Sequence, residues 1–544
     1  MRIALLLLAV LPIAAHAQET FFSETVDVRI INVDVIVTDR KGAPATGLTK
    51  DDFEVLEGGV KQEITNFFEY RGLPAGSGVR QSEAAAPAAG TAPATADLRS
   101  RYILLFIDDD SLNLMNRNRI YPAAKDFVQA ALRPGDVVMI VRWKPGLELA
   151  LEATGDLAAV QKKLDALAET SAGGGFKKLE FSDFKRHVTP RGGQSVSLEQ
   201  ALELAKLYAN ERLEEQHRKV EAIRGVIASM RGIEARKVFV LVSESLTEEP
   251  GRASFEYLDS IKEMFEGGKN FVQEVVTPDY RDNHLVERLA EAANSAGVTL
   301  YPIHAGGLGS ETEQMSAEIK YGSETGFRVA PETKTFAMRQ IAEATGGVAT
   351  TLSNNFKLGF ETIANDLNSY YSIGYRAGSA KQDVVRTIDV KLKKKGYTLR
   401  TRNSFVEKSL TSEMSDAVAA NLFYPADKND LKLALSAGTK VAADAESAKV
   451  TVTITIPTAS LTLLPDGEDL AGRFSTYAAF VRHDGVVSQV RTQTHQVRFP
   501  AASLSRRKEI TLKLDVTVDN VTDGLSIGVM DELSRTTGFA TTRL

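Results

Sequence analysis

Tyr102-Ile103-Leu104-Leu105-Phe106-Ile107 runs without a break into Asp108-Asp109-Asp110-Ser111-Leu112-Asn113, and this stretch decides how the chain is read. A continuous apolar run predicts a strand buried on both faces of a sheet, because a strand with one wet face alternates instead. The carboxyl end of such a strand is where an open parallel sheet forms its ligand crevice. There the chain places acids, a hydroxyl and an amide. Asp109-x-Ser111-x-Asn113 sets oxygen-bearing side chains on alternate positions of one turning loop, the donor chemistry that hard divalent cations take.

Outward from that stretch, helix and strand patterns alternate. Helices are expected around Tyr121 to Leu132, Ala158 to Ala168, His284 to Ser295, Thr335 to Ala344 and Asn355 to Asn368. Buried strands are expected over Asp136 to Trp143, Lys237 to Ser243 and Val298 to Ile303. This order predicts a doubly wound, mainly parallel α/β sheet with helices on both faces, over residues 100–408. An insertion, 171–236, interrupts it. Ser171 to Val196 reads as Gly-rich loop. Leu198, Leu202, Ala205, Ala209 and Leu213 then form one apolar helical stripe, which breaks at Gln216-His217-Arg218 and resumes at Val220, Ile223, Ile227 and Met230. The charged middle reads as a solvated helix face, with a partner-docking helix as the alternative.

The flanks read differently. Residues 23–70 alternate apolar and polar side chains, as in Asn32-Val33-Asp34-Val35-Ile36-Val37, and predict a small β unit. Residues 71–99 are rich in Ala, Pro and Gly and bury too little apolar surface to order, so a flexible linker is expected. Tyr370 to Tyr375 and Thr387 to Leu392 read as an antiparallel hairpin, with Lys391, Lys393, Lys394 and Lys395 protecting an edge. Residues 409–544 predict a C-terminal β-sandwich.

Composition narrows the function. The chain has 544 residues, no Cys, and 65 basic against 71 acidic side chains, a formal net charge of −6. Absent thiols exclude disulfides, thiolate metal sites and thiol catalysis. The missing basic excess argues against a nucleic-acid partner. Arg2, the apolar run Ala4 to Ala15 and Ala15-His16-Ala17 read as a signal peptide over 1–17, cleaved near Gln18. A periplasmic or secreted protein is expected, with no transmembrane segment after signal removal. The sequence contains no H-E-x-x-H, G-x-S-x-G or phosphate loop ending in G-K-[ST], so no enzyme class is indicated. His284 with Glu287 reads as a surface pair, and Trp143, the single Trp, as core.

The strand–Asp–x–Ser–x–polar opening, with the strand Val137 to Val141 behind it, resembles a von Willebrand factor type A (VWFA) domain. The likeness tightens toward bacterial VWFA-related proteins of the acidobacterial secreted type. It is carried by Val33 to Asp39, Gly47 to Phe53, Ala296 to Ile303, Ile341 to Gly347 and Tyr370 to Tyr375, and covers about Val26 to Phe405. The resemblance implies a binding module for a protein or peptide partner outside the cytoplasm. It also implies a Mg²⁺-type ion (Mg²⁺, Mn²⁺ or Ca²⁺) and no organic cofactor. Asp109 and Ser111 would be ligands, with Asp108 the acid in the alternative register. Asn113 stands where a second Ser is usual, Thr154 represents the distal Thr, and Glu244 replaces the distal Asp. With positions altered, a metal-free envelope scaffold is the competing expectation. A metal-assisted hydrolase using Asp108, Asp109 and Asp110 is another.

Overall fold

The computed structural model describes residues 30–71 and 100–544, apart from 145, 171–173, 191–195, 234, 266–279, 308–330, 377–380, 424–428, 445–446, 483–486 and 504–507. The expected signal peptide and nearly all of the expected linker lie outside the described residues. No described helix is long and apolar enough to cross a membrane.

The described chain opens with β1 (Ile30–Asp39), β2 (Phe53–Glu57), β3 (Val60–Gln62) and β4 (Ile64–Arg71). β1 and β4 flank the strand Ser369–Arg376, with Val33 opposite Ile373, while β2 pairs with Val385–Leu392, Val55 opposite Val390. Val33, Val35, Phe53, Val55, Tyr371, Ile373, Ile388 and Val390 share one core. The hairpin expected from Tyr370 to Leu392 is therefore corrected, because those two strands sit in different four-stranded sheets. Alternation fixes which face of a strand is buried, but not its neighbour. The expected edge is corrected with it, since Val385–Leu392 is an inner strand. Lys393 and Lys394 instead hold the Lys50–Asp52 turn, donating to the Asp51 carbonyl at 2.6 Å and to Asp52 at 2.9 Å.

The central sheet is built on β5 (Arg101–Ile107), which runs parallel to β6 (Val137–Lys144) and β8 (Arg236–Ser243). β9 (Val298–His304) extends it in parallel, and β7 (Gly146–Thr154) closes the other edge antiparallel, giving the order β7-β6-β5-β8-β9. Every residue of β5 is buried. The mainly parallel sheet expected from the apolar runs is present, with helices on both faces. α1 (Leu114–Ala131), α2 (Leu157–Ala168) and the helix Phe356–Asn368 cover one face. The other is covered by the carboxyl half of α4 (Leu198–Ser229), by α6 (Leu285–Ala296) and by the helix Pro331–Ala344. Trp143 packs in that second core.

The insertion departs from expectation in two places. The stretch read as loop contains α3 (Gly174–Val188), whose Phe181, Phe184 and Val188 recur at helical spacing. They pack with Ala201, Ala205 and Ala209 of α4 and with Phe255 and Leu258 of α5 (Arg252–Ile261) in a separate core. α4 also continues unbroken through Gln216-His217-Arg218. At 1.5 Å per residue its 32 residues span about 48 Å, whereas an eight-residue strand spans about 26 Å. Its carboxyl half lies along the sheet and its amino half overshoots the carboxyl ends of the strands, carrying α3 and α5. The middle of α4 has the expected solvated face in Glu211, Glu214 and Arg218, but its other side, with Gln216 and Lys219, is buried. Gln216 donates to Asp282 at 3.2 Å and accepts from the Thr247 N–H at 3.2 Å.

Beyond the helix Leu410–Asn421 the described residues are mainly β, in two sheets centred on Ser447–Pro457 and Asp469–Arg482, whose inner faces share a core. The helix itself meets the end of α4 closely: a Cβ on Gly232 would lie 2.4 Å from Ala417 Cα.

Candidate functional site

The site grows from the end of β5. The Asp108 N–H donates to the Val242 carbonyl of β8, and the Asp110 N–H to the Trp143 carbonyl of β6, so the acidic loop is stitched to both neighbouring strands. Ser111 N–H and Leu112 N–H turn back to the Asp108 carbonyl, which starts the approach to α1. The three acids lie at the sheet's carboxyl rim, as expected, but they do not face solvent. Asp108, Asp109 and Asp110 are 0%, 1% and 7% exposed.

Asp109 is enclosed by its own neighbours. Its Oδ1 accepts from Arg117 Nε at 3.3 Å and its Oδ2 from Arg142 Nε at 2.5 Å, while the Tyr121 hydroxyl lies 3.1 Å from both oxygens. Both guanidiniums are themselves buried. Arg117 also donates to the carbonyls of Leu167, Ala168 and Thr170 at the carboxyl end of α2, where a cation complements the helix dipole. Burial and the adjoining Asp109 carboxylate push the Tyr121 phenol above its usual range. Asp109 is thus the anionic centre that ties β5, β6, α1 and α2 together.

Asp108 faces the opposite layer. Its Oδ2 accepts from Ser243 Oγ at 2.6 Å, Lys219 Nζ at 2.7 Å and Ser245 Oγ at 3.3 Å; its Oδ1 is buried without a partner. Lys219, from the middle of α4, also donates to Ser245 Oγ at 2.8 Å. It is 3% exposed.

Glu244 and Asn113 form a third group. Asn113 is the N-cap of α1, its side chain accepting from the Asn116 N–H at 2.9 Å. Such a cap satisfies an amide that the helix leaves unpaired. Glu244 accepts from Asn113 N–H at 3.1 Å, Asn116 Nδ2 at 2.9 Å and Asn113 Nδ2 at 3.3 Å, a carboxyl group at a helix N-terminus. Ser111 Oγ donates to the Asp108 carbonyl and accepts from the Glu244 N–H, both at 3.0 Å. Burial drives the Glu244 carboxyl above its ordinary value, opposed by the amide hydrogen bonds, and Asp108 adds to the rise.

Five of the six residues expected as one ligand set therefore gather at the rim, but in separate hydrogen-bonded groups. Thr154 does not join them. It pairs with Val138 at the start of β6, the opposite end of the sheet, and accepts from the Asp156 N–H. Among the described residues no group of three or more His, Asp or Glu side chains is arranged to hold a metal. The donor set does not fit the divalent ion that the resemblance implies, because Asp109 is spent on two guanidiniums and Asp108 on an ammonium. Sequence reading missed Lys219, Arg117, Tyr121 and Arg142. One signal was available: Arg142 interrupts an otherwise apolar strand, and a buried guanidinium requires a buried anion.

The raised Glu244 carboxyl sets a pH dependence. A carboxyl whose folded value lies above its unfolded one favours folding in the protonated state, and that contribution is lost as pH rises through the folded value. Wild-type stability is expected to fall from the ordinary glutamate value of 4.5 toward neutrality relative to Glu244→Gln. Urea unfolding of both proteins across that range checks it; parallel curves would refute the assignment.

No family model matches this chain, and no curated protein does. Solved structures do show likeness to parts of it. The chain is similar to a von Willebrand factor type A structure from Catenulispora acidiphila. Identity is 10%, over 58% of this chain and 68% of that one, with a TM-score of 0.23. It is also similar to the conserved hypothetical protein BatB from Bacteroides thetaiotaomicron, at 11% identity over 49% and 97% of the two chains, TM-score 0.23. Manganese-loaded Plasmodium vivax TRAP protein is a third, at 9% identity over 57% and 94%, TM-score 0.22. Likenesses of this size carry no inference about what this chain binds.

Proposed function

We propose that this chain is an extracytoplasmic, non-catalytic binding module of VWFA-like design, which recognises a protein or peptide partner through the helical insertion at the carboxyl rim of its central sheet. The observation that carries this reading is the overshoot of α4. Its amino half, with α3 and α5, forms a unit with its own core beyond the rim and presents Leu204 and Leu207, 37% and 57% exposed and three residues apart, on one outward face. Exposed leucines paired on a helix offer a partner apolar contact. The N-terminal sequence pattern supports export. The ion pairing of Asp108 with Lys219 and of Asp109 with Arg117 and Arg142 speaks against the hydrolase alternative, since a divalent ion at either carboxylate would meet a buried cation.

The double substitution Leu204→Asp/Leu207→Asp changes exposed positions only, so the fold is expected to survive. Capture of the partner from an envelope fraction is expected to fall at least tenfold, and to be equal with and without EDTA for the wild-type protein. Capture unaffected by the double substitution would remove the insertion as the contact surface.

A further inference from the structure

We infer that Lys219 is the resident cation of the sheet-end site, an ammonium supplied by the insertion in the place where the resemblance puts a divalent ion. Its Nζ lies 2.7 Å from Asp108 Oδ2 and 2.8 Å from Ser245 Oγ, and Ser243 Oγ joins the same carboxylate oxygen at 2.6 Å. A carboxylate and a hydroxyl are oxygen donors that a hard cation uses, and the ammonium already holds both. A divalent ion brought to Asp108 would meet Lys219 at close range, like charge against like charge in a site without solvent to screen it.

Two further observations carry the inference. Asp108 Oδ1 is buried with no partner, so the carboxylate retains an oxygen lone pair that a second cation contact could use once the ammonium is gone. Lys219 sits where the pattern of α4 would call for an apolar residue: Val220, Ile223, Val226 and Ile227 follow it into the core, while Lys219 is as buried as they are. A lysine buried this deeply needs an anion, and Asp108 is the one it meets. The cation is thus covalently part of the chain, and it ties α4 to the end of β5. The inference is independent of which partner the module binds.

The test uses the full chain. Wild-type protein is expected to show no change in melting temperature with EDTA, Mg²⁺ or Mn²⁺. Lys219→Ala is expected to lower the melting temperature by roughly 6–20 °C, as for one partner lost from a buried pair. Mg²⁺ or Mn²⁺ at ten times its dissociation constant is expected to return roughly 3–6 °C of that loss. Lys219→Met, which removes the charge but fills the space, is expected to fall likewise without recovery. Lys219→Ala that gains nothing from either ion at millimolar concentration would overturn the inference. A Mn²⁺ titration of the wild-type protein followed by electron paramagnetic resonance decides the matter even if Lys219→Ala does not fold. An undiminished free-ion signal supports the inference, and a bound population abolished by Asp108→Asn refutes it.

Discussion

Asp109→Ala is expected to destabilise the protein by about 3–5 kcal/mol, the cost of removing one member of a buried ion pair. The reason lies in what it leaves behind. Arg117 and Arg142 are both buried, and each directs its Nε at an Asp109 oxygen. Without the carboxylate, two guanidiniums remain inside the fold with carbonyl and hydroxyl partners, and only Arg142 retains an acid, the half-exposed Glu148 at 3.6 Å. Tyr121 loses its acceptor as well. Asp109→Asn keeps the shape and part of the hydrogen bonding, so a smaller loss is expected. Urea denaturation of the three proteins, with and without EDTA, measures both effects. A metal-ligand role would make the loss depend on divalent ions. An alanine variant within about 0.5 kcal/mol of wild type, the range of ordinary surface changes, would contradict the structural role.

Gly232→Ala is the second large effect, and it acts between units. The added methyl would lie 2.4 Å from Ala417 Cα, 2.7 Å from its nitrogen and 2.9 Å from the Asp416 carbonyl, all backbone atoms. A flexible side chain could swing aside, but a helix backbone must shift as a whole. Overpacking of this kind costs about 1–3 kcal/mol and occasionally more. Asp416, on the same helix, pairs with Lys408 at 2.6 Å and with Arg231 at 3.6 Å, and both pairs would be strained with it. The expected readout is a lower melting temperature together with faster proteolysis near the helix Leu410–Asn421. Unchanged stability and protection would show that the helix does not dock as described.

The sequence made the central sheet legible because β5 and the strand Val298–His304 are apolar on both faces, a pattern that only a sheet buried between two helical layers produces. It gave less guidance where partners are far apart in the chain. Nothing in the alternation of Val33, Val35 and Val37 points to Tyr371 and Ile373 as the residues behind them, since pairing across the length of the central unit is set by tertiary packing. At the rim, the oxygen-bearing side chains are legible in the sequence, but the cations that meet two of them, Lys219 from α4 and Arg117 and Arg142 from α1 and β6, are brought there only by the fold. Asn113 has the spacing of a ligand and serves as a helix cap, which also explains why α1 begins at Leu114, ahead of the expected Tyr121. Arg117 and Tyr121, four residues apart on α1, share a helix face, and that face meets Asp109. In the long insertion, Gln216 within the break and Lys219 just after it turn inward, while Arg218 stays exposed, a division that residue type alone does not reveal.

Asp108 and Asp109 at the rim of the sheet are neutralised from within the chain, by Lys219 and by Arg117 and Arg142. Crystals of the wild-type protein soaked in saturating Mn²⁺, with anomalous diffraction recorded at the manganese edge, test it most directly. No anomalous peak is expected within bonding distance of Asp108 or Asp109, with the Lys219 ammonium in contact with Asp108. A manganese peak on those carboxylates, with Lys219 displaced from them, would contradict it.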